Sequence, residues 1–160
     1  MNKQEVLQLI VEKLTIDLDI AQRAAQTAYE TATHEENIAG NKYDTLGLEA
    51  SYLAAGQAKR VEEIRQSLVL YQKLSLMPFN EDKGIQPGDL ITLENPLGIE
   101  QHLFLGPDAA GLKIQYAELI VTVITSRAPL GQTLLGKLPG DELEISVNGS
   151  RQSFEVTQIL

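Results

Sequence analysis

The first half of the chain carries its apolar residues at helical spacing. Between Lys3 and about Thr33 there is neither Gly nor Pro, and good helix formers dominate. A second stretch of this kind runs from about Leu46 to Leu76. In both stretches a set of mostly apolar positions recurs at alternating intervals of four and three residues. This spacing places them in a stripe along one side of a helix. The stripe positions are Lys3, Leu7, Ile10, Leu14, Asp17, Ala21, Ala24 and Ala28, then Ala50, Ala54, Gln57, Val61, Ile64, Leu68 and Tyr71.

The size of the stripe residues changes in opposite directions along the two predicted helices. The first stripe begins with Leu and Ile and ends with Ala, whereas the second begins with Ala and ends with Leu68 and Tyr71. Small residues meet small ones only if the helices are antiparallel and fold back at residues 35–45. The pattern predicts a monomeric helical hairpin over residues 1–77. The alternative is a two-helix part of a bundle that dimerises through its exposed stripe.

The second half of the chain alternates with a period of two. A linker is predicted at residues 78–85, where Pro, Asn and Gly interrupt the helical pattern. Asn148 and Gly149 form a strong hairpin signal between the last two strands. The predicted strands are 89–94, 100–105, 112–116, 120–125, 142–147 and 153–159.

One short helix is predicted between the fourth and fifth of these strands, at residues 129–135. Pro129 suits the first turn of a helix, and Ser126 is a candidate cap upstream of it. Gly136 supplies a C-terminal stop. An antiparallel sheet with one helix packed on it makes residues 86–160 an α+β domain.

Composition narrows the possible functions. The chain has no Cys, which excludes disulfides, thiolate nucleophiles and zinc-thiolate sites. No apolar run approaches the roughly 18 residues of a membrane span, so a soluble, cytoplasmic protein without membrane contact is expected. The formal charge of -9 argues against sequence-independent binding to duplex nucleic acid, because cations must replace phosphate counterions there.

The segment ITSRAPLGQTLLGKLPGDELEI, at residues 124–145, resembles a family signature. The pattern S-P-[LI]-G-x-x-L-[IL]-G-K-x-x-G-D-x-[VL] occurs in the C-terminal domain of the bacterial Gre transcription elongation factors. YLAAGQ, at residues 52–57, looks like part of the E-Y-x-A-A-x-x-x-Q stretch of their coiled coil. The resemblance implies an FKBP-like fold without prolyl isomerase activity for residues 86–160.

The same resemblance implies a partner and a docking surface. In this family the C-terminal domain docks on core RNA polymerase at the mouth of the secondary channel, and the hairpin tip reaches toward the active site and the nascent RNA. The chain would therefore regulate the polymerase and not be an enzyme itself. The residues implied in docking are Ser126, Pro129, Leu130 and Gly131.

The hairpin tip is where this chain departs from the family pattern. Family members carry an acidic pair there that holds a second Mg²⁺ in the polymerase active site for transcript cleavage. Asp44 and Glu49 are the corresponding candidates for a shared Mg²⁺, but they are five residues apart instead of three. Lys42 and Tyr43 suit contact with a nucleotide phosphate or a protein wall. Asp44 is equally suited to capping the second helix, and Glu49 to a solvated surface.

Whether such a tip stimulates cleavage or only inhibits the polymerase stays open at the level of sequence. Two other classes of function also remain. A coiled-coil scaffold would use the helical stripe to oligomerise. A catalytic FKBP-like isomerase would need an aromatic-lined pocket, for which the sequence, with no Trp, offers little material.

Overall fold

The computed structural model describes the backbone of residues 1–37 and 44–160 and the side chains of residues 1–34 and 48–160. No helix in these ranges combines the length and hydropathy that a bilayer crossing requires. The elements are α1 (Lys3–Asn37), α2 (Asp44–Lys73), β1 (Leu90–Glu94), β2 (Glu100–Leu105), β3 (Lys113–Tyr116), β4 (Leu119–Ile124), α3 (Pro129–Leu134), β5 (Glu142–Val147) and β6 (Ser150–Ile159).

The chain divides into two compact units. A helical unit consists of Glu12–Val69, and a sheet unit combines Met1–Val11 with Leu70–Leu160. The prediction divided the chain differently, into a hairpin of residues 1–77, a linker of 78–85 and a domain of 86–160. In the structure the first residues of α1 and the last residues of α2 group with the sheet.

The helical unit buries or half-buries the stripe positions that the sequence predicted. The described elements of this unit are parts of α1 and α2. Ala50, Ala54 and Gln57 are half-buried on the same side of α2. The buried side chains are Leu14, Ala21, Ala28 and Ala32 of α1 and Val61, Ile64 and Ser67 of α2. Apolar burial at helical spacing therefore holds this unit together.

The sheet unit contains one six-stranded sheet in the order β3-β4-β2-β1-β6-β5. The α+β class is confirmed, but the expectation of a wholly antiparallel sheet is wrong for one pair, because β2 and β4 run parallel. The chain leaves β2, forms β3 at the sheet edge, and returns through β4 into the position beside β2. Since β3 and β4 are antiparallel, the returning strand has the direction of β2. Strand periodicity does not indicate which strand of the β3–β4 hairpin pairs with β2 and which forms the sheet edge.

The core of the sheet unit lies under α3. Its buried side chains come from alternate positions of the central strands and therefore share one face of the sheet. Leu134 of α3 is fully buried among them. The cluster comprises Ile85, Ile91, Leu93, Leu103, Leu105, Ile124, Leu134, Leu143, Phe154, Val156 and Ile159. The opposite face is buried as well, at Leu90, Phe104, Val121 and Val123.

The last hairpin follows the predicted turn chemistry. Asn148 and Gly149 have φ of 51° and 81°, which two-residue hairpin turns of the primed type require. Val147 and Ser150 face each other across the turn. This confirms the hairpin predicted from the Asn-Gly pair.

A buried ion pair connects the start of α1 to the sheet. The ammonium Nζ of Lys3 lies 2.7 Å from Oδ1 of Asp89 and donates to the carbonyl oxygen of Met77 at 2.6 Å. Oδ2 of Asp89 accepts a hydrogen bond from the backbone N–H of Gln86 at 2.8 Å. Both charges are thus compensated, which a buried pair needs in order not to be destabilising. The ion pair connects Met1–Val11 to the rest of the sheet unit.

Four glutamates stand side by side across the sheet. Glu94 of β1 faces Glu100 of β2 on one side and Glu155 of β6 on the other, and Glu155 also faces Glu142 of β5. Like charges directly opposite each other on neighbouring strands are destabilising. This row therefore costs the sheet unit some of its stability.

We expect a Glu155→Lys variant to be more stable than the natural chain by about 1 kcal/mol, because two like-charged pairs become two opposite pairs. Urea denaturation at low salt measures the gain. Glu155→Gln, which removes the repulsion without adding attraction, should give a smaller increase. Salt should reduce both effects. A Lys variant no more stable than the natural chain would contradict this account.

Candidate functional site

The signature segment forms a turn and the short helix α3 after β4. The backbone N–H of Ala128 donates to the carbonyl oxygen of Thr125 at 3.1 Å, and Pro129 occupies the first turn of the helix, as predicted. The prediction that Ser126 caps this helix is wrong. The N-cap is Ala128, which makes no side-chain cap hydrogen bond, and Ser126 precedes it by two residues.

Gly131 allows α3 to pack closely on the end of β4. A Cβ atom built on Gly131 would lie 2.0 Å from the carbonyl oxygen of Thr125, a contact that no real side chain makes. Leu134, one turn later, is thereby placed in the core. Gly131 thus acts by positioning α3.

A Gly131→Ala variant should be destabilised by about 1–3 kcal/mol, the range for inserting a methyl group into a packed site. Chemical denaturation of the full chain measures this cost. Gly56→Ala is the control, because a Cβ at this helical glycine meets nothing within 4 Å and should stabilise the helix slightly. Equal stability of the Gly131→Ala variant and the natural chain would refute the close approach.

The second half of the signature also has a structural role. Gly136 has φ of 80°, and its backbone N–H donates to the carbonyl oxygen of Ile85 at 2.9 Å. The carboxylate of Asp141 accepts a hydrogen bond from the backbone N–H of Leu138 at 2.8 Å and closes the turn before β5. These signature residues are explained by folding, so the candidate docking residues lie in its first half.

The predicted docking residues in the corner of residues 126–131 differ in their exposure to solvent. Ser126 and Pro129 are exposed, Leu130 is half-buried, and Gly131 is buried. Their accessibility leaves Ser126 and Pro129 as the predicted residues whose side chains can be touched by a partner. Leu130 and Gly131 mainly hold the corner in place.

Two residues near this corner were not singled out from the sequence. Nη2 of Arg127 lies 2.7 Å from Oδ1 of Asp108, in the loop between β2 and β3. The carbonyl oxygen of Asp108 accepts a hydrogen bond from the hydroxyl of Tyr71 at 2.7 Å. Arg127 could have been noticed as a cation within the signature, but nothing local in the sequence links it to Asp108.

Tyr71 is a rigid support for that loop. Its side chain is almost completely buried, and burial, followed by the negative charge of Asp108, raises the pKa of its phenol above the ordinary value. The hydroxyl therefore stays protonated and remains a donor. Gly106 makes room for it, since a Cβ there would lie 2.1 Å from the Tyr71 oxygen.

The predicted tip lies largely outside the described residues. Lys42 and Tyr43 are outside them, and so is the side chain of Asp44, while Glu49 is exposed on α2. α2 begins at Asp44, so positions 44 and 49 are five residues apart on one helix, which places them about 140° apart around its axis. In the described part of the chain, no group of three or more His, Cys, Asp or Glu side chains could hold a metal ion.

The two units define the class of protein: a long helical pair combined with a mixed six-stranded sheet that carries the signature on α3. No protein-family model matches the chain. It is 29% identical over 128 residues to a transcription elongation factor GreA from Desulfovibrio desulfuricans, with 78% of this chain and 74% of that protein covered. This match agrees with the signature, and the chain is similar to the Gre-family transcription elongation factors.

Solved structures with similar chains carry related names. One is the GreA factor homolog 1 protein of Thermus thermophilus, with 23% identity, 94% of each chain covered and a TM-score of 0.39. Another is a GreA/GreB transcription elongation factor from Nitrosomonas europaea, with 16% identity, 60% of this chain and 77% of that chain covered, and a TM-score of 0.37. TM-scores of this size support no conclusion about function.

Proposed function

We propose that this chain is a Gre-like transcription elongation factor that binds bacterial RNA polymerase at the secondary channel. The sheet unit docks through the corner of residues 126–131, and the tip of the helical unit is inserted toward the active site. The chain acts in the cytoplasm as a regulator, and catalysis belongs to the polymerase. The observation that carries the proposal is the 29% identity to a GreA over 128 residues, which includes most of this chain.

The construction of the corner supports the docking role. Thr125 and Gly131 fix the turn and α3 to the sheet, so the exposed Ser126 and Pro129 are held on a rigid base. A preorganised surface loses little conformational entropy on binding. The corner therefore has the properties of an anchor.

The tip supports inhibition more than cleavage. Carboxylates are ligands that Mg²⁺ prefers, and the chain has them at positions 44 and 49. Those positions lie on different sides of α2, however, and a pair so arranged does not hold one ion as adjacent ligands would. We propose that Asp44, aided by Lys42 and Tyr43, occupies the active-site region and slows nucleotide addition. Glu49 remains the second candidate should an ion be shared.

Stalled elongation complexes test this function directly. The purified chain should bind core polymerase and slow the addition of the next nucleotide, without shortening the transcript. If the transcript is shortened, the chain stimulates cleavage instead of inhibiting nucleotide addition. It would still be a Gre-like elongation factor. Failure to bind core polymerase would refute the proposed function. If the chain forms a stable homodimer and does not bind polymerase, the coiled-coil scaffold would be the favoured function.

A further inference from the structure

Arg127 is the one cation in the corner of residues 126–131. Its side chain is 70% exposed and stands between the exposed Ser126 and Pro129. It is unusual because the chain as a whole carries a formal charge of -9. A partner that touches this corner therefore meets a positive charge on an otherwise acidic protein.

The guanidinium of Arg127 is oriented by an ion pair with Asp108. Asp108 binds one of its nitrogens at 2.7 Å, and the backbone of Asp108 is in turn fixed by the buried hydroxyl of Tyr71 at 2.7 Å. A guanidinium has five N–H donors in a planar fork. Its other donors make no further hydrogen bond to the described part of the chain, so a second acceptor can be bound alongside Asp108.

We propose that Arg127 binds a carboxylate on the protein surface of RNA polymerase, and that Asp108 positions its guanidinium for this contact. The proposal rests on the proposed function and assigns the chemistry of its docking corner. The planar fork of arginine fits a carboxylate in a bidentate arrangement, which gives direction as well as attraction. Because the side chain is already oriented by Asp108, less rotamer entropy is lost on binding.

A carboxylate is favoured over a nucleic-acid phosphate by the charge of the corner. Proteins that bind nucleic acid through phosphates use several cations, since each contact replaces a counterion. The corner S-R-A-P-L-G offers one cation, and it is already shared with an acidic residue. One arginine is sufficient for one acidic side chain of a protein partner.

The test uses the full chain and nucleic-acid-free core polymerase. Arg127→Gln should weaken binding about tenfold and make the affinity less sensitive to salt, as expected when a charged contact is lost. Arg127→Lys should recover part of the affinity, since the charge is kept but the fork is lost. Arg151→Gln, which removes an exposed arginine from β6, is the matched control and should bind like the natural chain.

Asp108→Asn distinguishes positioning from competition. If Asp108 positions Arg127, the variant should bind more weakly, and combining it with Arg127→Gln should add little further loss. If Asp108 merely competes with the polymerase for Arg127, the variant should bind more tightly, and the positioning role is overturned. Thermal melting of each variant separates these effects from loss of folding.

The other outcomes are equally decisive. Normal binding by Arg127→Gln, with the natural chain binding core polymerase, overturns the inference and leaves the proposed function intact. No binding by the natural chain overturns both. An effect of Arg127→Gln that occurs only with polymerase carrying DNA and RNA would show that the acceptor is a phosphate, and it would also overturn the carboxylate assignment.

Discussion

An Ile64→Asp variant should lose the helical unit's structure at a markedly lower temperature than the natural chain. Ile64 is 3% exposed and lies in the buried stripe of α2. Aspartate at this position would place an unpaired charge between the two helices. Uncompensated buried charges cost about 3–5 kcal/mol, a large part of the stability of a typical domain. Circular dichroism at the helical band, followed against temperature, measures the loss.

Ile16→Asp is the matched control for this variant. It makes the same substitution in the same unit, but Ile16 is 56% exposed on α1. Exposed substitutions usually change stability by less than about 0.5 kcal/mol. Leu14→Asp, at a buried position of α1, should behave like Ile64→Asp. Equal melting of the Ile64 and Ile16 variants would show that the two stripes do not pair as described.

The helical stripes could be predicted because their signal is local and repeated. Leu14, Ala21 and Ala28 are spaced seven residues apart, and each is buried as the pattern predicts. The strands were predicted to within a few residues for a similar reason, since alternation marks a half-buried strand over its whole length. Asn148 and Gly149 fixed the last hairpin because few other sequences tolerate positive φ at both turn positions.

Features that depend on distant residues could not be predicted in this way. The pairing of Lys3 with Asp89 spans 86 positions, and the sequence shows only a lysine that continues an apolar stripe. The hydrogen bond from Tyr71 to Asp108 is of the same kind. Each contact joins one end of the helical pair to the rest of the sheet unit. Neither can be detected from local periodicity.

The candidate docking site stays a prediction from the sequence. The signature located the corner, and the structure adds which of its side chains are accessible. The proposed role of Ser126 as a cap failed because the backbone carbonyl of Thr125 closes the turn without help from a side chain. Arg127 was overlooked because its significance comes from Asp108, on a separate loop.

Replacing Asp44 with Ala should remove most of the chain's effect on nucleotide addition, while its affinity for core polymerase stays within about twofold. We propose that docking occurs through the corner of residues 126–131, so the change should affect activity and not binding. We expect the inhibition at saturating protein to fall by about tenfold, corresponding to ~1.4 kcal/mol at the active site. Elongation and cleavage assays on the same stalled complexes provide the measurement.

Glu63→Ala serves as the control, because it removes an exposed carboxylate of α2 that has no assigned role at the tip. Glu49→Ala then separates the two modes of action. If Asp44 acts alone by occupying space, Glu49→Ala should inhibit like the natural chain, and no variant should shorten transcripts. If both carboxylates hold an ion, the natural chain should cleave and either substitution should abolish cleavage. Strong cleavage that survives Asp44→Ala would contradict both modes. It would direct attention to Glu35 and Glu36, the two acidic residues at the start of the predicted tip.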